Sequence, residues 1–288
     1  MLIPAVGFTL MFYYLPMSMN VIAFMDYNLT KGWLGLGSTW VGFKQFQRFL
    51  VDPTFYEVAL RTLYYAVANL VFSFPAPIIL ALLLNELRVE AYKRTVQTIS
   101  YMPFFVSWVT VAGLIYIFLS TSSSGLINNV IQAFGGKRII FMSKSQYFLP
   151  VLVFSTLWKG VGLGSIIYLA TIASIEQQLY EAARIDGANR YRQMVSITLP
   201  SILPTIVTLL ILAIGHLLSV GFEKVYLLYN PAIYEKADVI ATYIYREGIT
   251  NGSYSFATAV SLFSSVVGFV LLITANQISK KVNEVSLW

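Results

Sequence analysis

The sequence predicts an all-α, polytopic membrane protein with six spanning helices. Two observations carry this. Hydrophobic residues make up 57% of the 288 residues and charged residues only 11%, where a soluble domain carries about 25% charge. The apolar residues are also gathered into charge-poor runs. A crossing needs about 20 mostly apolar residues, because a helix rises about 1.5 Å per residue and the hydrocarbon core is about 30 Å thick. Backbone groups cannot stay unpaired in lipid, so each crossing is expected to be a helix.

The runs lie at roughly 1–25, 57–84, 101–120, 148–174, 201–220 and 255–276. The first starts at Met1 with no charged n-region before it and no small-residue cleavage site after it. It is therefore read as a spanning helix rather than a signal peptide, and further residues are expected upstream. The second holds Pro75 and Pro77, which free backbone groups and kink a helix. Its Glu57 and Arg61 fall in the first turns, within reach of the interface. The fourth carries Lys159 beside Trp158 and Gly160. The fifth opens on Pro200 and Pro204 and holds His216, the only histidine.

Loops 85–100 and 175–200 and the C-terminal end fall on one side, with Arg88, Lys93, Arg94, Arg184, Arg190, Arg192, Lys280 and Lys281. The opposite loops carry a similar number of basic residues in longer segments. The positive-inside rule applies best to short loops, so the first set is placed in the cytoplasm. The outward segments are aromatic: Tyr27, Trp33, Trp40, Phe43, Phe46 and Phe49 in 26–56, and Tyr226, Tyr229, Tyr234, Tyr243 and Tyr245 in 221–254. Such residues suit interfacial belts and equally a surface for an external partner.

Composition also excludes. The net charge of +6 is spread over many loops with no basic stripe, so nucleic acid is not expected. Cysteine is absent and histidine single, which leaves little from which to build a metal site or a membrane-face enzyme. No G-x-x-x-x-G-K-[ST] pattern occurs; Gly135-Gly136-Lys137-Arg138 lacks the spacing and the hydroxyl residue. No cofactor is expected.

Residues 176–200 form a charged, helix-forming interruption between two apolar runs. Glu181 and Arg184 are spaced to meet on a helix surface, as are Asp186 and Arg190. Gly187 costs about 1 kcal/mol in a helix interior and permits a bend at positive φ. A short helix, a bend and a second short helix are expected. That projection fits a docking surface for a soluble partner, or a plain interfacial helix.

Glu181-Ala182-Ala183, then Gly187, then Ile197 and Leu199-Pro200 at this spacing resemble the EAA loop of bacterial ABC importer permeases. Leu179-Tyr180 and Asp186-Gly187-Ala188 look like the carbohydrate branch. Segments 74–86 and 221–231 resemble the subgroup that takes up oligosaccharides and polysaccharide fragments, including alginate importers. The resemblance runs from the second span to Trp288. It implies a type I ABC importer permease fold, with 1–288 as a single transmembrane domain in the bacterial cytoplasmic membrane and 175–200 as its cytoplasmic coupling loop. The implied partners are a second homologous permease, two cytoplasmic ATPase subunits, an extracytoplasmic solute-binding protein and the surrounding lipid. ATP hydrolysis falls to those subunits, so the chain is not expected to be an enzyme. Glu181, Ala182, Ala183, Asp186 and Gly187 would meet the ATPase.

Charges inside the spans address the substrate. A lysine at mid-membrane costs about 2.5–3.5 kcal/mol on insertion scales, so Lys159 is expected to face a cavity or a partner. His216 fits either a core histidine bonded to a carbonyl or a cavity wall. By resemblance to maltose permeases, Lys159, Gly160 and Leu163, with His216, Leu217 and Leu218, fall near sugar-contacting positions. Lysine and histidine there, in place of aromatic and amide side chains, point to an acidic oligosaccharide such as a uronate fragment. Glycines of the fourth span would admit a bulky sugar. The same architecture also suits another solute: a peptide, an osmolyte or a neutral sugar. A passive channel would need polar rings and no docking loop.

Overall fold

The computed structural model describes residues 2–28, 30–31, 37–283 and 286–287, so Trp33 and Trp288 lie outside the described residues. The apolar runs form helices, and five are long and apolar enough to cross a membrane: α1 (Leu2–Phe24), α3 (Pro53–Glu86), α7 (Ser145–Ala173), α9 (Arg190–Gly215) and α13 (Tyr254–Asn283). α4 (Glu90–Phe105) and α5 (Trp108–Phe118), apolar enough only when taken together, make a sixth candidate crossing with a sharp break between them.

Most of α1 stands exposed, and only its last turns, Met19–Phe24, pack on α13. Beyond it β1 (Met25–Asp26) pairs antiparallel with β2 (Thr39–Trp40), the one departure from an all-α chain among the described residues. The short helix α2 (Lys44–Val51) then buries Phe49 against Phe55 and Phe263. Phe46 and Phe49 of this segment are therefore core, while Trp40 and Phe43 stay exposed.

Asp52 starts α3 by accepting the Thr54 N–H at 2.9 Å, and Pro53 sits where its missing N–H costs nothing. Glu57 and Arg61 pair at 2.9 Å. The helix is interrupted only at Phe74, where Pro75 opens its second half. Pro77 packs beside Gly164 of α7.

The third crossing is not the continuous helix expected over 101–120. It begins in the loop read as 85–100 and bends by 100° between Phe105 and Trp108. Pro103 ends the regular hydrogen bonding, and Ser107 starts α5 by accepting the Thr110 N–H at 3.2 Å. The fifth crossing is also shifted. It starts at Arg190, so Pro200 and Pro204 lie inside it, and it ends at Gly215. A wide π-turn over Met194–Thr198 gives room for the Pro200 ring.

The segment between α9 and α13 is folded rather than loop-like. After α6 (Leu126–Ala133) on the same chain come α8 (Gln177–Ile185), discussed below, and then α10 (Phe222–Leu228), α11 (Tyr234–Ala237) and α12 (Ile240–Tyr245). Val225, Leu228, Ile233, Ala237 and Val239 join Tyr65, Phe148 and Leu152 in one core. Asp238 and Arg246 lock this cap at 2.6 Å, and Tyr243 donates to Asp52 at 3.1 Å. At the other end Ala81, Tyr168, Ile172 and Ile202 hold the bases of α3, α7 and α9 together, where α8 leaves the bundle.

Candidate functional site: a docking segment and a polar cavity

The segment between α7 and α9 has a defined shape. α8 ends at Gly187, whose φ is +76°. The Ala188 N–H reaches the Ala183 carbonyl at 2.8 Å and the Gly187 N–H reaches the Arg184 carbonyl at 3.1 Å, the two bonds of a Schellman cap. Asn189 then starts α9 by accepting the Arg192 N–H at 2.8 Å. One glycine thus converts one helix into two that leave at an angle.

Two side chains tie this unit to the bundle. Tyr180 and Thr198 share a hydroxyl hydrogen bond of 2.9 Å, and Arg190 lies 3.7 Å from the Glu86 carboxylate. The pairings expected from spacing do not form. Arg190 turns to Glu86 because the Gly187 bend takes Asp186 off its helix, and Glu181 and Arg184 stay apart. Among the described residues Glu181, Arg184 and Asp186 have no ion pair. Glu181, Ala182, Asp186 and Gly187 are exposed, Ala183 is half-buried, and Ile185 is 87% exposed. A polar cleft of about 820 Å³, walled by Glu86, Arg88, Tyr180, Arg184 and Arg190, lies behind the segment. The result is a rigid projection with free charges and one bare apolar side chain.

Within the spans, Lys159 stands at the break of the third crossing. Its ammonium donates to the Phe104 carbonyl at 2.6 Å and to the Val106 carbonyl, and lies 5.4 Å and 5.6 Å from the Phe104 and Trp108 rings. It satisfies carbonyls that the 100° bend leaves free. Its neighbours divide the glycines of α7. Gly162 is buried where a Cβ would run into the Ser100 backbone, and Gly164 packs on Pro77, so both serve helix packing rather than sugar approach. Gly160 faces open space, with nothing within 4 Å of a built Cβ. Leu163 is half-buried.

His216 is not inside a helix as expected but caps α9 at its end, exposed in the isolated chain, with half-buried Leu217 and Leu218 after it. It lines a cavity of about 290 Å³ with Asn69, Ser73, Ser219 and Lys224. The cation beside His216 is therefore Lys224, which sequence reasoning left among the outward-loop charges. Lys224 makes no ion pair with a described residue and donates to Thr156 Oγ1 at 3.3 Å. Burial pushes its ammonium down to about 8. Its one trace in the sequence is spacing that packing alone makes meaningful: Lys224 adjoins Val225 and precedes Leu228 by four, and both are buried core.

Residues 73–284 match the family described as binding-protein-dependent transport system inner membrane component. Protein LplB of Bacillus subtilis (strain 168) is 46% identical over 100% of this chain and 90% of its own length. The polygalacturonan/rhamnogalacturonan transport system permease protein YteP of the same organism is 46% identical over 100% and 89%. The crystal structure of a bacterial alginate ABC transporter, in complex with alginate pentasaccharide-bound periplasmic protein, is similar with a TM-score of 0.90. That match is 40% identical and covers 99% of this chain and 94% of that one.

Proposed function

The chain belongs to the binding-protein-dependent transport system inner membrane components, and on that premise we propose that it forms one half of the path by which an acidic oligosaccharide enters the cell. It is a multi-pass permease of an ABC importer, working with a solute-binding protein, and it has the fold of the alginate importer subunit. A second, homologous permease supplies the other half of the path, and two cytoplasmic ATPase subunits hydrolyse ATP. Residues 175–200 are the coupling loop, with Glu181, Ala182, Ala183, Asp186 and Gly187 in the ATPase groove. ATP binding draws the coupling segments together and opens the cavity outward to the loaded binding protein; hydrolysis resets it. The path passes Lys159, Gly160 and Leu163 on α7 and His216, Leu217 and Leu218 after α9.

The observation that carries the coupling role is the projection itself. Its cap is fixed at Gly187, its base is tied through Tyr180 and Arg190, and its Glu181 carboxylate has no partner within the described chain. Support for a uronate cargo comes from Lys159 and Lys224, neither of which makes an ion pair with a described residue, and from relatives named for polygalacturonan and alginate. The test is Glu181→Arg in the complex reconstituted with both permeases, the ATPases and the loaded binding protein. Substrate-stimulated ATPase activity and uptake are lost while the complex still inserts and copurifies its permease partner. Normal uptake by that variant refutes the coupling assignment. Unchanged apparent affinity for an acidic oligosaccharide in both Lys159→Ala and His216→Ala refutes the path assignment.

A further inference from the structure

The cations that bear on the interior differ in how far their donors are used. Arg246 is paired with Asp238. Lys159 is held by two backbone carbonyls and faces two rings. Lys224 has three donors and one neutral hydroxyl, that of Thr156, as its partner. A half-buried ammonium without a counter-charge is costly, and such groups near membrane spans mark binding sites more often than packing.

Polar groups reach Lys224 from three elements, between the apolar Ala66, Leu70, Phe74, Ala213, Leu217 and Val220 of the same wall. α3 contributes Asn69 and Ser73, α7 contributes Thr156, and the non-helical stretch after α9 contributes His216 and Ser219. Irregular backbone among membrane helices is tolerated where it lines a cavity, and the chain from His216 to Gly221 does so here. The cavity of about 290 Å³ is at the lower end of small-ligand sites, the size for one ring of a longer chain. Glu223, the adjacent acid, is exposed and makes no ion pair with Lys224.

We propose that Lys224 is the carboxylate receptor of the path, taking the uronate group of one sugar ring in the cavity between α3, α10 and the end of α9. Asn69 and Ser219 are placed to add neutral hydrogen bonds to the same ring. The inference rests on the acidic-oligosaccharide reading above and assigns a residue that sets preference for charge.

The test is uptake of trigalacturonate by the whole complex in proteoliposomes, at saturating binding protein, for the natural chain, Lys224→Gln and Lys224→Arg. Copurification of the partner subunits is followed in each. The expected result is an uptake loss of about tenfold in Lys224→Gln and recovery to within about threefold in Lys224→Arg, with the partner subunits copurifying in all three, as removal of one charge-assisted bond predicts. Equal uptake by Lys224→Gln overturns the assignment, and so does equal loss in both variants, which makes the lysine a packing element. If the natural chain imports no trigalacturonate and no alginate trisaccharide, the acidic-substrate reading fails first, and this site falls with it.

Discussion

Replacing Gly187 isolates the bend from everything else in the proposed coupling segment. Its φ is +76°, and a Cβ built there meets nothing within 4 Å. The cost of a side chain is therefore conformational rather than steric. Left-handed backbone costs an L-residue about 1–2 kcal/mol, and escaping it means giving up the 2.8 Å bond from Ala188 to Ala183. A penalty of that size lowers the population of the docked shape by about 5- to 30-fold. The assay is uptake and substrate-stimulated ATPase activity of Gly187→Asn, Gly187→Ala, Gly187→Leu and Gly187→Val complexes of equal insertion. Asn, which tolerates this region, stays near the natural level; Ala and Leu fall together; Val, branched at Cβ, falls furthest. Normal transport by the Val variant refutes the reasoning. A Leu variant far below Ala relocates the cost to bulk against the ATPase surface.

Other outcomes follow from the same structure. Arg246→Ala strands the Asp238 carboxylate, which is 4% exposed, and should lower the thermal stability of the solubilised complex by about 3–5 kcal/mol. Asp238→Asn in the same background should recover part of it. Gly162→Ala drives a methyl into the Ser100 backbone, at a packing cost of about 1–3 kcal/mol or more. Gly160→Ala, with open space around it, should not lower thermal stability, since Ala is the better helix former, and its cost should show in uptake alone. Because burial depresses the Lys224 ammonium to about 8, it is ionised below that pH and neutral above. Uptake of a uronate substrate should fall as pH rises through about 8, and Lys224→Arg should flatten that step. A step that survives the Arg variant refutes its assignment to Lys224.

What the sequence made legible depended on how local the cause was. Spans follow from runs of apolar residues, so their number was readable, and the Gly187 bend is written in a single residue. Boundaries were not. α3 and α9 continue beyond their apolar cores as amphipathic helix, because tertiary packing of Phe55, Val58 and Gln193 extends them. The 100° break at Val106 and Ser107 depends on Lys159, about fifty residues away, satisfying the freed carbonyls. No local signal carries that. Lys224 was missed for a related reason. A lysine between aromatic residues in an outward segment resembles a surface charge, and only the packing of Val225 and Leu228 into the bundle turns it inward. Ion pairs failed where spacing was taken as contact, since Arg190 found Glu86 across the fold in preference to Asp186 nearby.

The chain contains no cysteine, so a single introduced thiol reports one position. Ile185→Cys places it on the coupling projection, at a site 87% exposed, and Trp40→Cys places it on the opposite face, at a site 59% exposed. Treating the assembled importer with a short thiol-to-amine crosslinker, which joins the introduced thiol to a lysine of whatever it touches, measures which partner each face meets. The predicted result is a covalent adduct between the Ile185→Cys protein and an ATPase subunit, with none from the Trp40→Cys protein. An ATPase adduct from the Trp40→Cys protein and none from Ile185→Cys would contradict the account.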